Sequence, residues 1–348
     1  MPVDRVLLAA PRGFCAGVEK AIKALAWMVR IFEPPVYCYH EIVHNQFVVD
    51  QFRRRGVVFV DDVAEVPPGA PLMLSAHGTA PEVAAAARAR GGVVVDAVCP
   101  LVTKVHHEVK VRARKGYTVL YVGHHGHEEA AGTAAVAPEA VHLVETDADL
   151  DEMVSAIEPG TPVAFLAQTT LSHDDWTGLR DQAVERFPNL WLPGRSDLCF
   201  ATTNRQRALK AIAGRSDAVV VVGSENSSNT VALQKVAAAS GCPVVVRVNS
   251  ADELPGHLTG VVGVTAGASA PEELVAAVVA RLAPRQGVEE VHVTEEDEYF
   301  PPPPELRDLV RLLASVVSLG VAAPPSPPEP AGPDSDVAAA DVLAALAG

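Results

Sequence analysis

The apolar and polar positions along this 348-residue chain repeat one pattern three times. Each copy begins with a cysteine just ahead of a stretch whose apolar residues recur every three or four positions, as Val18, Ile22 and Leu25 do in the first copy. That spacing predicts a helix, so each cysteine is expected at or near a helix N-terminus. The three segments are RGFCAGVEKAIKAL, DAVCPLVTKVHHEV and SDLCFATTNRQRALKAI.

The segments that follow each cysteine repeat as well. A run rich in β-branched residues ends 24 positions beyond each cysteine, at Tyr39, Gly123 and Gly223. A polar loop, a second strand-like run and a further polar loop come next. The last loops lie 62 to 70 positions beyond their cysteines, and their leading polar residues are His77, Thr169 and Ser269.

Strands that alternate with helices indicate an α/β fold with parallel sheets, in which ligands bind beyond the carboxyl ends of the strands. We therefore predict three units related by a pseudo-threefold axis, with small, mostly parallel sheets around one central site. Their ranges are 1–95, 96–194 and 195–284, and a C-terminal extension covers 285–348. Three independent modules whose loops never meet are the alternative, because repetition alone does not exclude them.

The cysteines fall into two groups. Cys38 and Cys242 lie within or beside strand-like runs and are expected in the core, whereas Cys15, Cys99 and Cys199 occupy equivalent loops. A helix N-terminus lowers a thiol pKa, and three thiolates suit a soft metal. An iron-sulfur cluster held by three cysteines keeps one iron open to a substrate. Zinc bound by three cysteines and a histidine of HHGHEE is the alternative, although no paired C-x₂-C spacing is present.

The polar loops indicate a second chemistry, anion binding. Six of their residues are hydrogen-bond donors without acidic neighbours, which indicates an anion, and SENSSNT and TAGASAPEEL precede predicted helices, whose free N–H groups bind phosphate. Taken singly, each of these residues is typical of a simple helix cap. The donors are His44, His77, Ser227, Ser228, Asn229 and Ser269. In the loop GHHGHEEAAGT, His127 and Glu129 are a candidate proton-transfer pair.

The net charge of −15 is concentrated in one segment. Residues 287–348 carry twelve acidic residues against two arginines. The net charge of the rest of the chain is therefore ordinary for a soluble protein. We expect no nucleic-acid partner. The N-terminus lacks a signal-peptide pattern, and the apolar stretch at 312–323 is shorter than the roughly 20 residues that span a bilayer. A cytoplasmic protein without a membrane partner is therefore expected.

Nine segments, in order between about Val6 and Arg307, resemble one known family. They are PRGFCAGV, HEIVHN, SAHG, CPLVTKVH, GHHGHEEAAGT, QTTLS, CFATTNRQ, GSENSSN and VTAGASAP. The chain is identified by them as similar to 4-hydroxy-3-methylbut-2-enyl diphosphate reductase, the last enzyme of the methylerythritol phosphate route to isoprenoids. The resemblance implies a reductive dehydroxylation that yields isopentenyl and dimethylallyl diphosphates.

The resemblance also implies roles for individual residues. Cys15, Cys99 and Cys199 would hold one 4Fe-4S cluster per chain, whose fourth iron binds the substrate hydroxyl. Glu129 would donate the proton and Thr169 would help to position the hydroxyl. The implied diphosphate-binding residues are His44, His77, Ser227, Ser228, Asn229 and Ser269, with His127 lining the pocket. No G-x-G-x-x-G fingerprint is present, so a ferredoxin or flavodoxin is expected as the electron donor.

Two departures from the family pattern stand out. Glu128 takes a position that is often proline in the family, and we expect this acid to shift the pKa of Glu129. After Arg307 the chain continues into a Pro-rich stretch, expected as a flexible linker, and then into DSDVAAADVLAALA. For that last segment a disordered tail is the favoured interpretation over a short capped helix that docks on a partner.

Two other functions compete with the reductase. A zinc-stabilised module would bind diphosphates without redox activity. A cluster-dependent hydratase would act on a hydroxy acid without external electrons, but these loops contain no arginine to hold a carboxylate.

Overall fold

The structure is a computed structural model that describes residues 3–320 and 334–347. Within these two ranges the chain forms twelve strands and twelve α-helices. The strands are β1 (Val3–Ala10), β2 (Val36–Tyr39), β3 (Val57–Val60), β4 (Leu72–Leu74), β5 (Val94–Asp96), β6 (Thr118–Val122), β7 (Val141–Val144), β8 (Val163–Ala167), β9 (Ala218–Val222), β10 (Val245–Val248), β11 (Gly260–Ala266) and β12 (Val288–His292). The helices are α1 (Ala16–Ile31), α2 (Gln46–Arg54), α3 (Pro81–Ala89), α4 (Pro100–Arg114), α5 (Glu128–Ala134), α6 (Asp147–Ala156), α7 (His173–Arg186), α8 (Phe200–Ala213), α9 (Ser228–Ala239), α10 (Glu272–Leu282), α11 (Pro304–Gly320) and α12 (Ala339–Ala347).

The strands form three sheets, with the orders β3-β2-β4-β5, β7-β6-β8 and β10-β9-β11-β1-β12. Neighbouring strands in these sheets run parallel throughout. The central strands read as continuous apolar runs, such as VAFLA in β8 and AVVVV in β9, and every residue of both runs is buried. Such runs suit parallel sheets that are covered by helices on both faces. The predicted α/β fold with three small parallel sheets is confirmed.

The division of the chain into sheets differs from the predicted ranges at both ends. Strand β1 precedes the first cysteine, and β12 lies in the expected C-terminal extension, yet both join the sheet of the third unit. Val6 of β1 pairs with Val262 of β11 on one side and Val288 of β12 on the other. β1 is buried along most of its length and needs a partner on each edge, which no strand of the first unit supplies.

The cysteines of the three copies occupy equivalent backbone positions. Cys15, Cys99 and Cys199 are the N-cap residues of α1, α4 and α8, as the sequence predicts. Cys38 and Cys242 are buried in apolar clusters, also as predicted.

A cyclic set of hydrogen bonds joins the three units. The Cys99 N–H donates to the Ala76 carbonyl at 3.0 Å, and the Cys199 N–H donates to the Thr169 carbonyl at 3.0 Å. The Cys15 N–H donates to the Ala268 carbonyl at 3.2 Å. Each cysteine loop is therefore held by the last loop of another copy, and the ring closes. The alternative of independent modules whose loops never meet is wrong.

The C-terminal extension contains an ordered helix. The apolar stripe of α12, formed by Ala339, Val342, Leu343 and Leu346, packs into the core cluster that contains α1. The nearly buried Lys23 of α1 forms a 3.3 Å ion pair with Asp334. The disordered-tail interpretation is therefore wrong for residues 334–347, because the stripe has the helical spacing that buries one face.

The predicted Pro-rich linker, 321–333, lies outside the described residues. In the part of the chain that the structure describes, no helix combines the length and the apolar character needed to cross a membrane.

Candidate active site

One cavity at the centre of the three units brings together every side chain that the sequence singled out. The residues come from the cysteine loops and from the loops beyond the strands of all three units. They are Cys15, Cys99, Cys199, His44, His77, His127, Glu129, Thr169, Ser227, Ser228, Asn229 and Ser269. The predicted shared pocket is thus present as a geometric feature.

The three cysteines line this cavity, and two of them lie close to Gly17. A methyl group on Gly17 would lie 3.9 Å from Cys15 Sγ but only 2.9 Å from Cys99 Sγ, so glycine is needed to leave room for the Cys99 sulfur. The Thr202 N–H donates to Cys199 Sγ at 3.2 Å. The sulfurs of three chain segments therefore share one space.

The pKa values of Cys99 and Cys199 move opposite to the expectation from helix N-termini. Burial, followed by the neighbouring Cys15, raises the pKa of Cys99 to about 12 and that of Cys199 to about 11. Burial and mutual repulsion outweigh the helix N-terminus here. The thiols lose their protons when a metal cation compensates the charge, which couples metal binding to proton release.

Glu129 is a buried carboxyl group with a specific partner. Its side chain is 2% exposed and accepts hydrogen bonds from the Thr169 N–H at 2.7 Å and the Thr169 hydroxyl at 2.9 Å. Burial raises the pKa of Glu129 to about 7, against the lowering effect of Thr169 and the Tyr121 hydroxyl. The acidic neighbour that adds to this rise is Asp197 rather than the expected Glu128. Glu129 can therefore gain or lose a proton near neutral pH.

His127 is a neutral hydrogen-bond donor. It caps the N-terminus of α5, and its Nδ1 accepts a hydrogen bond from the Glu129 N–H at 3.1 Å. Burial, followed by the charges of His77 and His44, lowers the pKa of His127 to about 3. Because Nδ1 is an acceptor, the proton of the neutral ring is on Nε2.

His44 and His77 form a stacked pair, with ring centroids 3.8 Å apart and planes 7° from parallel. Glu128 Oε2 lies 2.9 Å from His77 Nδ1, and Glu41 Oε2 lies 3.9 Å from His44 Nδ1. The expectation that these donors have no acidic neighbours is therefore wrong for His77 and His44. With Nδ1 of His77 directed to Glu128, Nε2 is the ring nitrogen available to a ligand.

This pair suits an anion better than a metal ion. Ligand atoms of His44, His77 and Glu128 lie within 4.8 Å of one another, which is close enough for metal ligands. The lone pairs of an imidazole lie in the plane of its ring, however, and parallel stacked rings cannot direct them at one ion. Ring N–H groups that point side by side can instead share one anion.

The third unit contributes the N-terminus of α9 and the loop after β11. Ser227 caps α9, and Ser228 and Asn229 form its first turn, where free N–H groups attract anions. The Ser269 hydroxyl donates to the His44 carbonyl at 2.8 Å, and Asn229 Oδ1 accepts from the Ala268 N–H at 3.0 Å. The Ser269 contact joins the third unit to the first, and the Asn229 contact fixes the loop after β11 within the third unit.

Several residues in or beside the cavity were not predicted, among them Thr170 and Thr202 in its lining. Gln168 donates to the hydroxyls of Thr170 at 2.8 Å and Ser228 at 3.2 Å, and so links the second unit to the third. Thr202 lies beside Cys199 and receives a 3.4 Å hydrogen bond from Asn229. These side chains belong to the QTTLS and CFATTNRQ segments, but the repeat identified only one leading residue in each loop.

Comparison with known proteins identifies the family to which the chain belongs. The family model described as LytB protein matches residues 6–283. A protein of Rhodopirellula baltica is 48% identical over 307 residues, which cover 87% of this chain and 96% of that protein. A protein of Mycobacterium leprae is 47% identical over 308 residues, or 87% and 92% of the two chains. Both relatives are named 4-hydroxy-3-methylbut-2-enyl diphosphate reductase.

Two solved structures are similar. The E-1-hydroxy-2-methyl-but-2-enyl-4-diphosphate reductase of Plasmodium falciparum is 31% identical with a TM-score of 0.86, covering 90% of this chain and 100% of its own. A second reductase structure, described as the terminal enzyme of the non-mevalonate pathway, is 28% identical with a TM-score of 0.58, covering 81% and 99%. The chain therefore belongs to the LytB protein family and is an oxidoreductase.

Proposed function

We propose that the protein converts (E)-4-hydroxy-3-methylbut-2-enyl diphosphate into isopentenyl diphosphate and dimethylallyl diphosphate. Each turnover takes up two electrons and two protons, breaks the C–O bond of the hydroxyl, forms one C–H bond and releases water. One observation carries the proposal: three thiols, a titratable buried carboxyl and an anion pocket line the same cavity. The names of the relatives point to the same reaction.

Cys15, Cys99 and Cys199 would hold a 4Fe-4S cluster. A single zinc ion keeps its sulfur ligands about 3.8 Å apart. Among the described residues, the one set of three metal-binding side chains within 4.8 Å is His44, His77 and Glu128, so the three sulfurs are more widely spaced. This spacing favours a cluster of several metal atoms over zinc. When bound, the cluster would supply electrons and an open iron for the substrate oxygen.

The diphosphate would bind at the stacked histidines and at the N-terminus of α9. His77 and the hydroxyls of Ser227 and Ser228 line the cavity where the diphosphate would bind, and Ser269 and the Asn229 amide lie beside them. The α9 dipole adds positive potential. These groups would place the hydroxyl end of the substrate toward the cysteines.

Glu129 would supply the proton that turns the hydroxyl into leaving water. Its pKa of about 7 makes the protonated form available at neutral pH. The two hydrogen bonds from Thr169 hold the carboxyl group in place, and the same Thr169 accepts from the Cys199 N–H. His127 would donate from Nε2 without adding a charge. One residue, Thr169, therefore holds both the acid and the backbone of one cysteine.

The electrons would come from a protein partner in the cytosol. The sequence contains no dinucleotide-binding fingerprint, which favours a ferredoxin or flavodoxin as the donor. Five free thiols suit a reducing compartment.

Anaerobic purification followed by metal analysis and assay tests this proposal. The protein should be brown and contain about four irons per chain with matching sulfide. It should form both diphosphate products when dithionite-reduced viologen supplies electrons. Colourless protein with stoichiometric zinc, or iron-loaded protein without turnover, would contradict the proposal.

A further inference from the structure

The helix that begins at Cys99 reaches the protein surface in its first turn. Pro100 and Thr103 of α4 are exposed, whereas the first turns of α1 and α8 are buried or half-buried throughout. The Thr103 hydroxyl donates to the Cys99 carbonyl at 3.3 Å. Four helical residues rise about 6 Å, so this surface lies close to a cysteine of the candidate cluster site.

The exposed side of α4 is basic. Lys104, Lys110 and Arg114 follow one another along it, with His107 between them and Lys115 at the C-cap. We call these five residues the α4 basic face. Lys110, Arg114 and Lys115 form no ion pair with any residue that the structure describes. Their charges are therefore available to a partner, in a chain whose net charge is −15.

No acidic residue of α4 neutralises the α4 basic face in the part of the chain that the structure describes. The single acidic residue of α4, Glu108, is half-buried and pairs with Arg112 at 3.3 Å. Lys104 lies 3.8 Å from the buried Asp197 but remains half exposed. Arg195, two residues before Asp197, is exposed and adds a further positive charge.

The surface near the other two cysteines has the opposite sign. A cleft there is lined by Phe14 and Phe200, the chain neighbours of Cys15 and Cys199. Seven carboxylates and two arginines line the same cleft. A protein with an acidic surface would be repelled from that side and attracted to the α4 basic face.

We propose that the α4 basic face is the docking surface for the electron donor, a ferredoxin with an acidic surface. This inference rests on the proposed function. Two reduced ferredoxins, each oxidised by one electron, would supply one turnover. Docking on α4 places the donor over Cys99, and the charge pairing raises the rate of productive encounter.

A double charge reversal, Lys110→Glu with Arg114→Glu, tests the docking surface. The matched control is Lys235→Glu with Arg281→Glu, which changes two exposed bases on α9 and α10 by the same total charge. With a reduced plant-type ferredoxin as the only reductant, the α4 variant should show a KM for ferredoxin raised about tenfold. The control should match the unchanged protein.

Two further measurements separate docking from the reaction itself. Turnover with dithionite-reduced viologen should be unchanged in the α4 variant, because a small reductant needs no docking surface. Calorimetry of oxidised ferredoxin with the cluster-containing protein at low salt should show binding that the α4 variant weakens and that rising salt abolishes. A KM for ferredoxin within twofold of the unchanged protein, or an equal effect in the control, would overturn the inference. Absence of viologen turnover in the unchanged protein would instead contradict the proposed function.

Discussion

At the scale of single residues, Glu128 and Glu129 are chain neighbours with opposite acid-base behaviour. Glu129 points into the protein interior, where burial raises its pKa to about 7. Burial alone would also raise the pKa of Glu128, but the His77 hydrogen bond and the charges of His77, His44 and His40 hold it at about 2. Environment rather than residue type thus lets one group titrate near neutral pH and keeps the other ionised beside a histidine.

Replacing Glu129 by glutamine should abolish most turnover and keep binding. The amide still accepts from the Thr169 N–H and can donate to the Thr169 hydroxyl, but it has no acidic proton. We expect kcat to fall about 10²- to 10⁴-fold, with iron content unchanged. In the unchanged protein, the acid form is lost above its pKa of about 7, so kcat should fall as pH rises through 7. Full activity in the Glu129→Gln variant would remove Glu129 from the mechanism, and Glu139→Gln on the exposed surface is the control.

Replacing Glu128 by glutamine should weaken substrate binding more than turnover. The carboxylate, 2.9 Å from His77 Nδ1, holds the ring with Nε2 available to a ligand in the cavity. Loss of that charge-assisted hydrogen bond should raise the KM for the diphosphate about tenfold and change kcat little. Asp61→Asn removes a fully exposed carboxylate near His40 and should leave KM unchanged. A lowered KM in Glu128→Gln would show that Glu128 acts mainly by repelling the diphosphate.

At the scale of elements, α12 completes the packing of α1, the helix that begins at Cys15. Its apolar stripe enters the core cluster of the first unit, and the segment before it neutralises Lys23. Lys23 also donates to the carbonyls of Asp334 and Val337, each at 3.0 Å. The extension is thus part of the structure around the candidate site.

A substitution in α12 should measure how much this packing contributes. Leu343 is 3% exposed, so Leu343→Ala should lower the free energy of unfolding by about 3 kcal/mol through lost burial and a residual cavity. Leu312→Ala on α11, where the side chain is 62% exposed, should change it by less than about 0.5 kcal/mol. Urea unfolding measured by circular dichroism would compare the two. Equal stabilities would mean that α12 does not dock in solution.

At the scale of the whole molecule, the candidate cluster site lies where three units meet. The cyclic hydrogen bonds from the cysteine N–H groups already join the units in pairs. A metal cluster bound by all three cysteines would add one tie shared by the three units, and binding to the folded state alone raises stability.

Removal of one thiol should therefore affect both metal content and stability. Cys15→Ser should lose most of its iron and the brown colour, and its Tm should match that of metal-free protein. Cluster-loaded, unchanged protein should melt about 5 °C or more higher. Cys242→Ser, which alters a buried cysteine of the third unit's core, should retain the iron. Equal iron in the two variants, measured anaerobically, would contradict the assignment of Cys15.

The sequence by itself determined the three-copy plan, the cysteines at helix N-termini and the parallel strands. These features depend on local periodicity and on spacing within each copy, and both can be read along the chain. It also identified most of the polar residues of the cavity, because these belong to loops that follow strands, but it missed Thr170 and Thr202.

Only the tertiary structure decided which distant segments meet. It placed β1 and β12 in the third unit's sheet. The mostly buried β1 needs hydrogen-bond partners on both edges, and β11 and β12 are the strands that lie beside it in space. It directed Glu128 to His77 and gave Glu129 its raised pKa, since burial and partners depend on contacts between units. The docking of α12 on α1 likewise required a matching apolar surface more than three hundred residues away.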